Sequence, residues 1–226
     1  MPALDVASAV DDLVAMLAYL HGFASGPAST KAQLVRARLA ALGYELAIPD
    51  LAPDFTRQTI TSQLAIAEAL LDSEPAILMG SSLGGYLAAL VAARHPERVR
   101  ALVLLAPAFG FAPRWEAQLG PEVMAHWHRH GVMPVMHYGR EREALLSIEL
   151  LTDARRYPDE PDPVVPALVV AGRFDDAVPL ATVETFARRR PERELVVYEA
   201  GHQLTEVLEP MWELIRTFLG RFGIGR

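Results

Sequence analysis

The stretch AILMGSSLGGYLAALVAAR, residues 76–94, carries the strongest prediction about the fold. It begins with a short apolar run at 76–80 that predicts a buried strand, and it continues as 83–94, where alanine and leucine predict a helix. Between the two lies GSSLGG, which matches the pattern G-x-S-x-G with Ser82 at its centre. A serine flanked by glycines between a strand and a helix is typical of a tight turn that points its hydroxyl outward.

The same alternation of short apolar runs and longer amphipathic stretches extends along the chain in both directions. Further strands are predicted at 14–20, 44–48, 99–105, 167–171 and 195–198. Further helices are predicted at 29–43, 59–71, 180–190 and 205–222. This order predicts an α/β fold with a mostly parallel sheet and helices on both faces, as one domain over residues 1–226.

One segment, at about 110–162, interrupts this alternation because it contains no long apolar strand. Its proline-rich end at 158–166 predicts a linker that returns to the sheet. We therefore expect a helical insertion above the strand ends, where a lid commonly lies in this class of fold. Large apolar side chains in and beside it are candidates for the wall of a substrate pocket, namely Phe109, Phe111, Trp115, Trp127 and Met133.

The composition narrows the classes of partner and cofactor. The 21 basic and 28 acidic side chains give a net charge of 21 − 28 = −7, which argues against nucleic acid as a ligand. The chain has no cysteine, so disulfides, thiolate metal sites and cysteine nucleophiles are excluded. His126 and His130 are spaced i, i+4, but no carboxylate follows the same pattern, and we expect no metal and no cofactor.

The first twenty residues favour a cytoplasmic location. They include no basic leader, and Asp5, Asp11 and Asp12 interrupt their apolar stretch. This pattern fits neither a signal peptide nor a membrane span.

Two polar groups follow predicted strands in the second half of the chain. Asp175 and Asp176 come shortly after the strand at 167–171, and His202 comes shortly after the strand at 195–198. A carboxylate there can accept the Nδ1–H of a histidine and fix its tautomer, and the order serine, acid, histidine suits this arrangement. One aspartate is expected to play that part, while the other caps the helix that begins near Pro179.

The end of the first strand offers a second pair of groups for the same site. A tight loop at His21-Gly22-Phe23 can present the backbone N–H of Phe23 to a developing oxyanion, opposite the N–H of Leu83. The side chain of His21 is expected to support the loop.

Several motifs together resemble the α/β-hydrolase superfamily of serine hydrolases. They are LHGF at 20–23, GPASTKAQLV at 26–35, GSSLGGY at 80–86, GRFDDAVP at 172–179 and GH at 201–202. From residue 19 to about 107 the chain is most similar to the YqiA-type small esterases.

The resemblance implies the α/β-hydrolase fold, hydrolysis of a small-molecule carboxylic ester and no cofactor. It implies Ser82, Asp175 and His202 as a catalytic triad, with the N–H groups of Phe23 and Leu83 as the oxyanion hole. Such enzymes place the acid four residues before a proline, and 179 − 4 = 175 favours Asp175 over Asp176.

A lid of modest length favours short to medium acyl chains. The same triad also suits a thioesterase or a hydrolase of carbon–carbon bonds, and the same fold occurs in non-catalytic binding modules.

Overall fold

Five parallel strands form the central sheet of the protein, whose computed structural model describes residues 16–71 and 75–225. In spatial order they are β1 (Met16–Leu20), β2 (Ala76–Ser81), β3 (Val99–Leu105), β6 (Ala167–Gly172) and β7 (Arg193–Tyr198). β4 (Val132–His137) and β5 (Arg142–Ser147) form a separate antiparallel hairpin. The predicted α/β fold with a mostly parallel sheet is confirmed. The first two residues of the predicted strand 14–20, and the prediction about the leader, lie outside the described residues.

Helices pack on both faces of the sheet, as predicted. They are α1 (Thr30–Ala41), α2 (Ile60–Glu68), α3 (Leu83–Arg94), α4 (Phe111–His130), α5 (Glu149–Ala154), α6 (Leu180–Arg188) and α7 (Leu208–Gly220). α1 and α7 bury their apolar sides against one face, and α2, α3 and α6 pack against the other. Within the described ranges, no helix has the length and apolar content needed to cross a bilayer.

The strands are apolar on both sides because both faces of the sheet are covered. In β2, Ile77 and Met79 pack into the layer of α1 and α7, whereas Leu78 packs into the layer of α3, and all three have no exposed surface. A strand buried on both faces reads as a continuous apolar run, which is why the sequence predicts this sheet well.

The strand predicted at 44–48 is wrong over most of its length. Only one residue pairs, as Ala47 accepts a hydrogen bond from the N–H of Tyr19 at 2.8 Å and donates to the carbonyl of Leu17 at 2.9 Å. Pro49 follows directly, and a proline has no N–H with which to extend a ladder. The last predicted helix also begins later than expected, because Thr205–Val207 form a 3₁₀ turn before α7.

The insertion between β3 and β6 is not purely helical. It consists of α4, the β4–β5 hairpin and α5, and α4 is kinked at Gly120, which precedes Pro121. The hairpin was missed because Pro134 interrupts β4, while charged residues begin β5. Its two strands pair from Val132 opposite Ser147 to His137 opposite Arg142, with no third strand against them among the described residues. A proline is tolerated on such an unpaired edge.

The start of α3 packs so closely on the end of β1 that only glycine fits there. A Cβ on Gly84 would lie 2.0 Å from the carbonyl oxygen of Leu20 and 2.6 Å from that of His21. A Cβ on Gly80 would lie 2.3 Å from the carbonyl oxygen of Gly84. These contacts fix the distance between the turn at Ser82 and the loop that follows β1.

We expect Gly84→Ala to destabilise the fold by about 1–3 kcal/mol, since the added methyl must push β1 and α3 apart. Urea unfolding followed by circular dichroism measures this change. Gly26→Ala is the matched control, because a Cβ at Gly26 meets no atom within 4 Å. A Gly84→Ala protein as stable as the Gly26→Ala protein would contradict the close packing.

Candidate active site

The predicted site residues lie together at one edge of the sheet. The carboxyl ends of parallel strands meet there, and each candidate follows a different strand. Phe23 follows β1, Ser82 follows β2, Asp175 follows β6 and His202 follows β7. The fold thus gathers groups that are up to 179 residues apart, from 23 to 202.

Ser82 lies in a strained turn between β2 and α3. Its φ of 52° and ψ of −119° belong to a region that residues with a side chain rarely adopt. The N–H of Ser82 donates to Leu105 at 2.9 Å, and its carbonyl accepts from the N–H groups of Gly85 at 2.9 Å and Ala108 at 3.0 Å. Ser81 is buried, whereas Ser82 keeps exposed surface. The turn therefore holds the Ser82 hydroxyl toward the open edge.

A continuous chain of hydrogen bonds joins Ser82 to His202 and Asp175. The Nε2 atom of His202 lies 2.9 Å from the Oγ of Ser82, and its Nδ1 lies 2.8 Å from Oδ2 of Asp175. The carboxylate is 2% exposed and the imidazole 14% exposed. With Nδ1 protonated and facing the carboxylate, Nε2 is free to accept a proton from the serine.

Asp175 also organises its own loop. Its second oxygen, Oδ1, accepts the N–H groups of Ala177 at 2.9 Å and Val178 at 2.7 Å. Asp176 is exposed, and α6 follows Pro179 without a hydrogen bond from a capping side chain. The expectation that Asp176 caps this helix is therefore wrong, because Asp175 itself binds the free N–H groups at this turn.

The loop after β1 passes directly beside the serine. A Cβ on Gly22 would lie 3.4 Å from the Cβ of Ser82, so the loop after β1 and the turn at Ser82 meet at Gly22. Leu83 is the first residue of α3, where a helix has free N–H groups. In the described part of the chain, no carbonyl accepts a hydrogen bond from the N–H of Phe23 or Leu83. Two N–H groups that flank the turn at Ser82 thus have no backbone acceptor, and donors of this kind can stabilise an oxyanion.

His21 supports this loop, as expected. Its imidazole is 3% exposed, accepts the N–H of Leu51 at Nε2 over 3.1 Å and donates from Nδ1 to the carbonyl of Gly22 at 3.0 Å. Burial lowers the pKa of His21, which keeps the ring neutral and suits this pair of bonds. The next turn is held from the insertion, because Gly139 donates its N–H to the carbonyl of Ala24 at 3.2 Å.

Aromatic rings from three segments pack around Phe23. Its ring lies 4.9 Å from Trp115 of α4, edge to face, and 5.7 Å from Phe55. Phe55 in turn lies 4.6 Å from the ring of His137 at the end of β4. Phe111 also contacts Trp115, with centroids 5.3 Å apart. These rings form an apolar cluster, here called the aromatic wall, in which Phe23 and Trp115 are half-buried and Phe55, Phe111 and His137 are buried.

Of the other three candidate pocket residues, two have no exposed surface and one is half-buried. Trp127 has no exposed surface and donates its indole N–H to the carbonyl of Leu146, within the insertion. Phe109 also has no exposed surface, and its ring lies 4.3 Å from Phe186 of α6. Met133 is half-buried against the core. Phe109 thus packs against α6, and Trp127 joins α4 to β5.

Sequence reasoning did not single out Phe55, and it gave His137 only an exposed or pocket-lining role within the insertion; both join the aromatic wall. Phe55 lies in the loop that follows Ala47, the residue that pairs with β1. The sequence pointed to it only through a polar, proline-rich stretch after a predicted strand. His137 belongs to the β4–β5 hairpin, which the sequence did not predict. Arg114 donates to the carbonyls of Phe109 and Ala177 and so joins α4 to the loop of Asp175.

The histidines of the insertion form no evident metal site. His126 and His130 stack at 4.0 Å, and His130 Nδ1 bonds the carbonyl of His126 at 2.8 Å. Over residues 16–71 and 75–225, no three histidine, aspartate or glutamate side chains are grouped so that they could hold a metal ion.

Comparison with solved structures identifies the fold. Alpha/beta hydrolase domain-containing protein 10 from mouse superposes with a TM-score of 0.74 at 22% identity, covering 91% of this chain and 88% of that one. Est1E from Butyrivibrio proteoclasticus, solved with ferulic acid bound, superposes with a TM-score of 0.75 at 18% identity, covering 92% and 89%. At these identities the likeness establishes the α/β-hydrolase fold, as the sequence motifs predict.

Sequence comparison identifies the family. A pimeloyl-[acyl-carrier protein] methyl ester esterase from Aeromonas hydrophila is 28% identical over 195 residues, which covers 70% of this chain and 75% of that protein. A family model described as "Uncharacterised protein family (UPF0227)" matches residues 16–219. The resemblance to α/β hydrolases and YqiA-type proteins is thereby confirmed. Because the match spans nearly the whole chain, the protein belongs to the uncharacterised protein family UPF0227.

Proposed function

We propose that the protein hydrolyses carboxylic esters of small molecules, with Ser82 as nucleophile, His202 as general base and Asp175 as the acid that orients it. The observation that carries this proposal is the unbroken hydrogen-bond chain from Asp175 through His202 to Ser82, at 2.8 and 2.9 Å. The relative from Aeromonas hydrophila, named a methyl ester esterase, supports the same class of reaction.

In the first half of the proposed reaction, Ser82 Oγ attacks the ester carbonyl carbon while its proton passes to Nε2 of His202. The carbonyl oxygen becomes an oxyanion and accepts the N–H groups of Phe23 and Leu83. Asp175 stabilises the imidazolium through the bond at Nδ1. The tetrahedral intermediate then collapses, the C–O bond to the alcohol breaks, and His202 returns its proton to the departing alkoxide.

In the second half, water attacks the acyl group on Ser82 and His202 accepts a proton from that water. The second tetrahedral intermediate releases the carboxylic acid and restores the serine hydroxyl. No redox step occurs, and the residues described above supply every proton transfer.

The aromatic wall favours a substrate with an apolar acyl or alcohol group next to the oxyanion donors. The ring of Phe23 belongs to the wall, while its backbone N–H faces the reacting carbonyl, so one residue links binding to catalysis. We propose that the insertion acts as a lid on the single domain, since α4 and the hairpin supply Trp115, Phe111 and His137 to this wall. A wall of large rings favours compact substrates over long flexible chains.

We expect Ser82→Ala to lower ester turnover by about four to six powers of ten while the protein stays folded, because only the nucleophilic oxygen is lost. Turnover of p-nitrophenyl acetate and the thermal midpoint measure the two effects. Ser81→Ala is the matched control and should keep near-wild-type turnover. Intact mass after fluorophosphonate treatment should show one adduct on wild type and none on Ser82→Ala. A wild type that takes no label would favour a non-catalytic binding module.

We expect Asp175→Asn to lower kcat by about 10⁴-fold. The amide accepts a hydrogen bond from Nδ1–H of His202 less well than the carboxylate does, so it no longer fixes the reactive tautomer. Asp176→Asn removes the same charge one residue away and should change kcat by less than about tenfold, since its side chain is exposed. Steady-state kinetics on one ester compare the two variants. The reverse order of effects would reassign the acid to Asp176.

We expect kcat/KM across p-nitrophenyl esters from acetate to palmitate to peak at short or medium acyl chains. Each methylene that fits against the aromatic wall adds up to about 0.8 kcal/mol of binding, and a chain that overruns it gains nothing further. A preference for palmitate would contradict the proposed substrate range. A protein whose Ser82 is labelled but which turns over none of these esters would point to thioesters or carbon–carbon bonds.

A further inference from the structure

Lys31 is a buried cation for which the reaction above has no role. It lies in the first turn of α1 and is 7% exposed. Burial of an ammonium group is costly, and a positive charge near a helix N-terminus opposes the helix dipole. No acidic residue in the first turn of α1 offsets it. The helix itself therefore gives no reason for a lysine at this position.

The contact that Lys31 makes lies next to the proposed base. Its Nζ donates a hydrogen bond to the backbone carbonyl of Gln203 at 2.6 Å, and Gln203 directly follows His202. The loop there is irregular, since Leu204 has a φ of 54° and helical structure begins only at Thr205. A charge-assisted hydrogen bond from a rigid helix is thus a direct restraint on the segment that carries the imidazole.

Two carboxylates face Lys31 from other elements. Asp175 comes from the loop after β6, and Glu206, which accepts the N–H of Gly201 at 3.3 Å, comes from the turn before α7. Burial lowers the pKa of Lys31 to about 8, while attraction to Asp175 and Glu206 opposes that shift. The lysine is therefore mainly charged at pH 7, and its charge helps to lower the pKa of Glu206.

We propose that Lys31 is a positioning residue, which holds the Gln203 carbonyl so that His202 stays in line between Asp175 and Ser82. This inference rests on the proposed function, because it assigns a support to the general base. Displacement of a catalytic group by about 1 Å can lower a rate by about a hundredfold, so a single restraint next to His202 has a measurable effect. Within the described residues, the side chain has no hydrogen bond to Ser82, His202 or Asp175, and the proposed cycle requires no proton from it.

Lys31→Met is the first test, because methionine keeps the volume of the buried chain and removes the charge and the donor. We expect kcat to fall by about tenfold to a hundredfold with KM nearly unchanged, because the imidazole loses its alignment and the aromatic wall is intact. The thermal midpoint at pH 7 should not fall. Below about pH 8 the folded protein carries a buried charge that the unfolded chain exposes to water, and methionine removes that cost.

Arg38→Met is the matched control on the same helix. Arg38 bonds Glu209 of α7 at 2.6 and 2.7 Å, so it also joins α1 to the C-terminal part of the chain, but its side chain is 43% exposed and has no hydrogen bond to the loop of His202 within the described residues. Its kcat should equal that of wild type. Equal losses in Lys31→Met and Arg38→Met would overturn the proposal, because any loosening of α1 would then suffice.

If the methionine variant does not fold, Lys31→Arg and Lys31→Gln test the role of Lys31 instead. Arginine keeps a charged donor with enough reach and should recover part of kcat, whereas glutamine is shorter and neutral and should not. Equal kcat values in these two variants, or wild-type kcat in Lys31→Met, would overturn the role of Lys31. The rate of fluorophosphonate labelling separates failure of the proposed function from failure of the proposed role of Lys31. If the wild type takes no label, the proposal that the protein is a serine hydrolase is wrong. If the wild type is labelled and the Lys31 variants are labelled at the same rate, only the positioning role of Lys31 is wrong.

Discussion

Ser82 adopts its positive φ because the chain passes from β2 into α3 within a single residue. This turn is possible only where neighbouring backbones come very close, and a Cβ on Gly80 or Gly84 would overlap carbonyl oxygens at 2.3 and 2.0 Å. The strain is held by bonds from the peptide of Ser82 to Leu105 and Ala108 on the neighbouring chain segment. Those contacts place the serine hydroxyl and the first N–H of α3 at the same point of the sheet edge, and the rest of the site is arranged around that point.

The other loops at this edge are restrained in the same way, each by a distant part of the chain. Gly139 of the insertion bonds the carbonyl of Ala24, and Arg114 of α4 bonds the carbonyl of Ala177. Lys31 of α1 bonds the carbonyl of Gln203. A loop gains little rigidity from its own few residues, so bonds from helices and from the insertion help to fix the positions of the candidate residues. The insertion therefore contributes to the support of the candidate site.

The sequence predicts those parts of the protein that depend on local pattern. Strands buried on both faces, such as β2, appear as unbroken apolar runs, and G-x-S-x-G is recognisable because the turn at Ser82 tolerates few residues on either side. The hairpin in the insertion was missed, since Pro134 and the charged start of β5 hide strands that have one free edge. The strand expected at 44–48 is a single bridge at Ala47, because pairing there depends on the edge of β1 rather than on the composition of the segment.

By itself, the sequence determined the α/β-hydrolase fold and the alternation of strands and helices outside the insertion, and it singled out Ser82 and His202 as candidates, because each of these depends on a few neighbouring residues. Only the tertiary structure distinguished Asp175 from Asp176 by contact, since the direction of a carboxylate depends on how the loop after β6 meets the loop after β7. It alone brought Phe55 and His137 to the aromatic wall, and Lys31 to the loop of His202, 172 residues before its partner Gln203. Such contacts depend on the packing of distant segments, and no local pattern records which segments will meet.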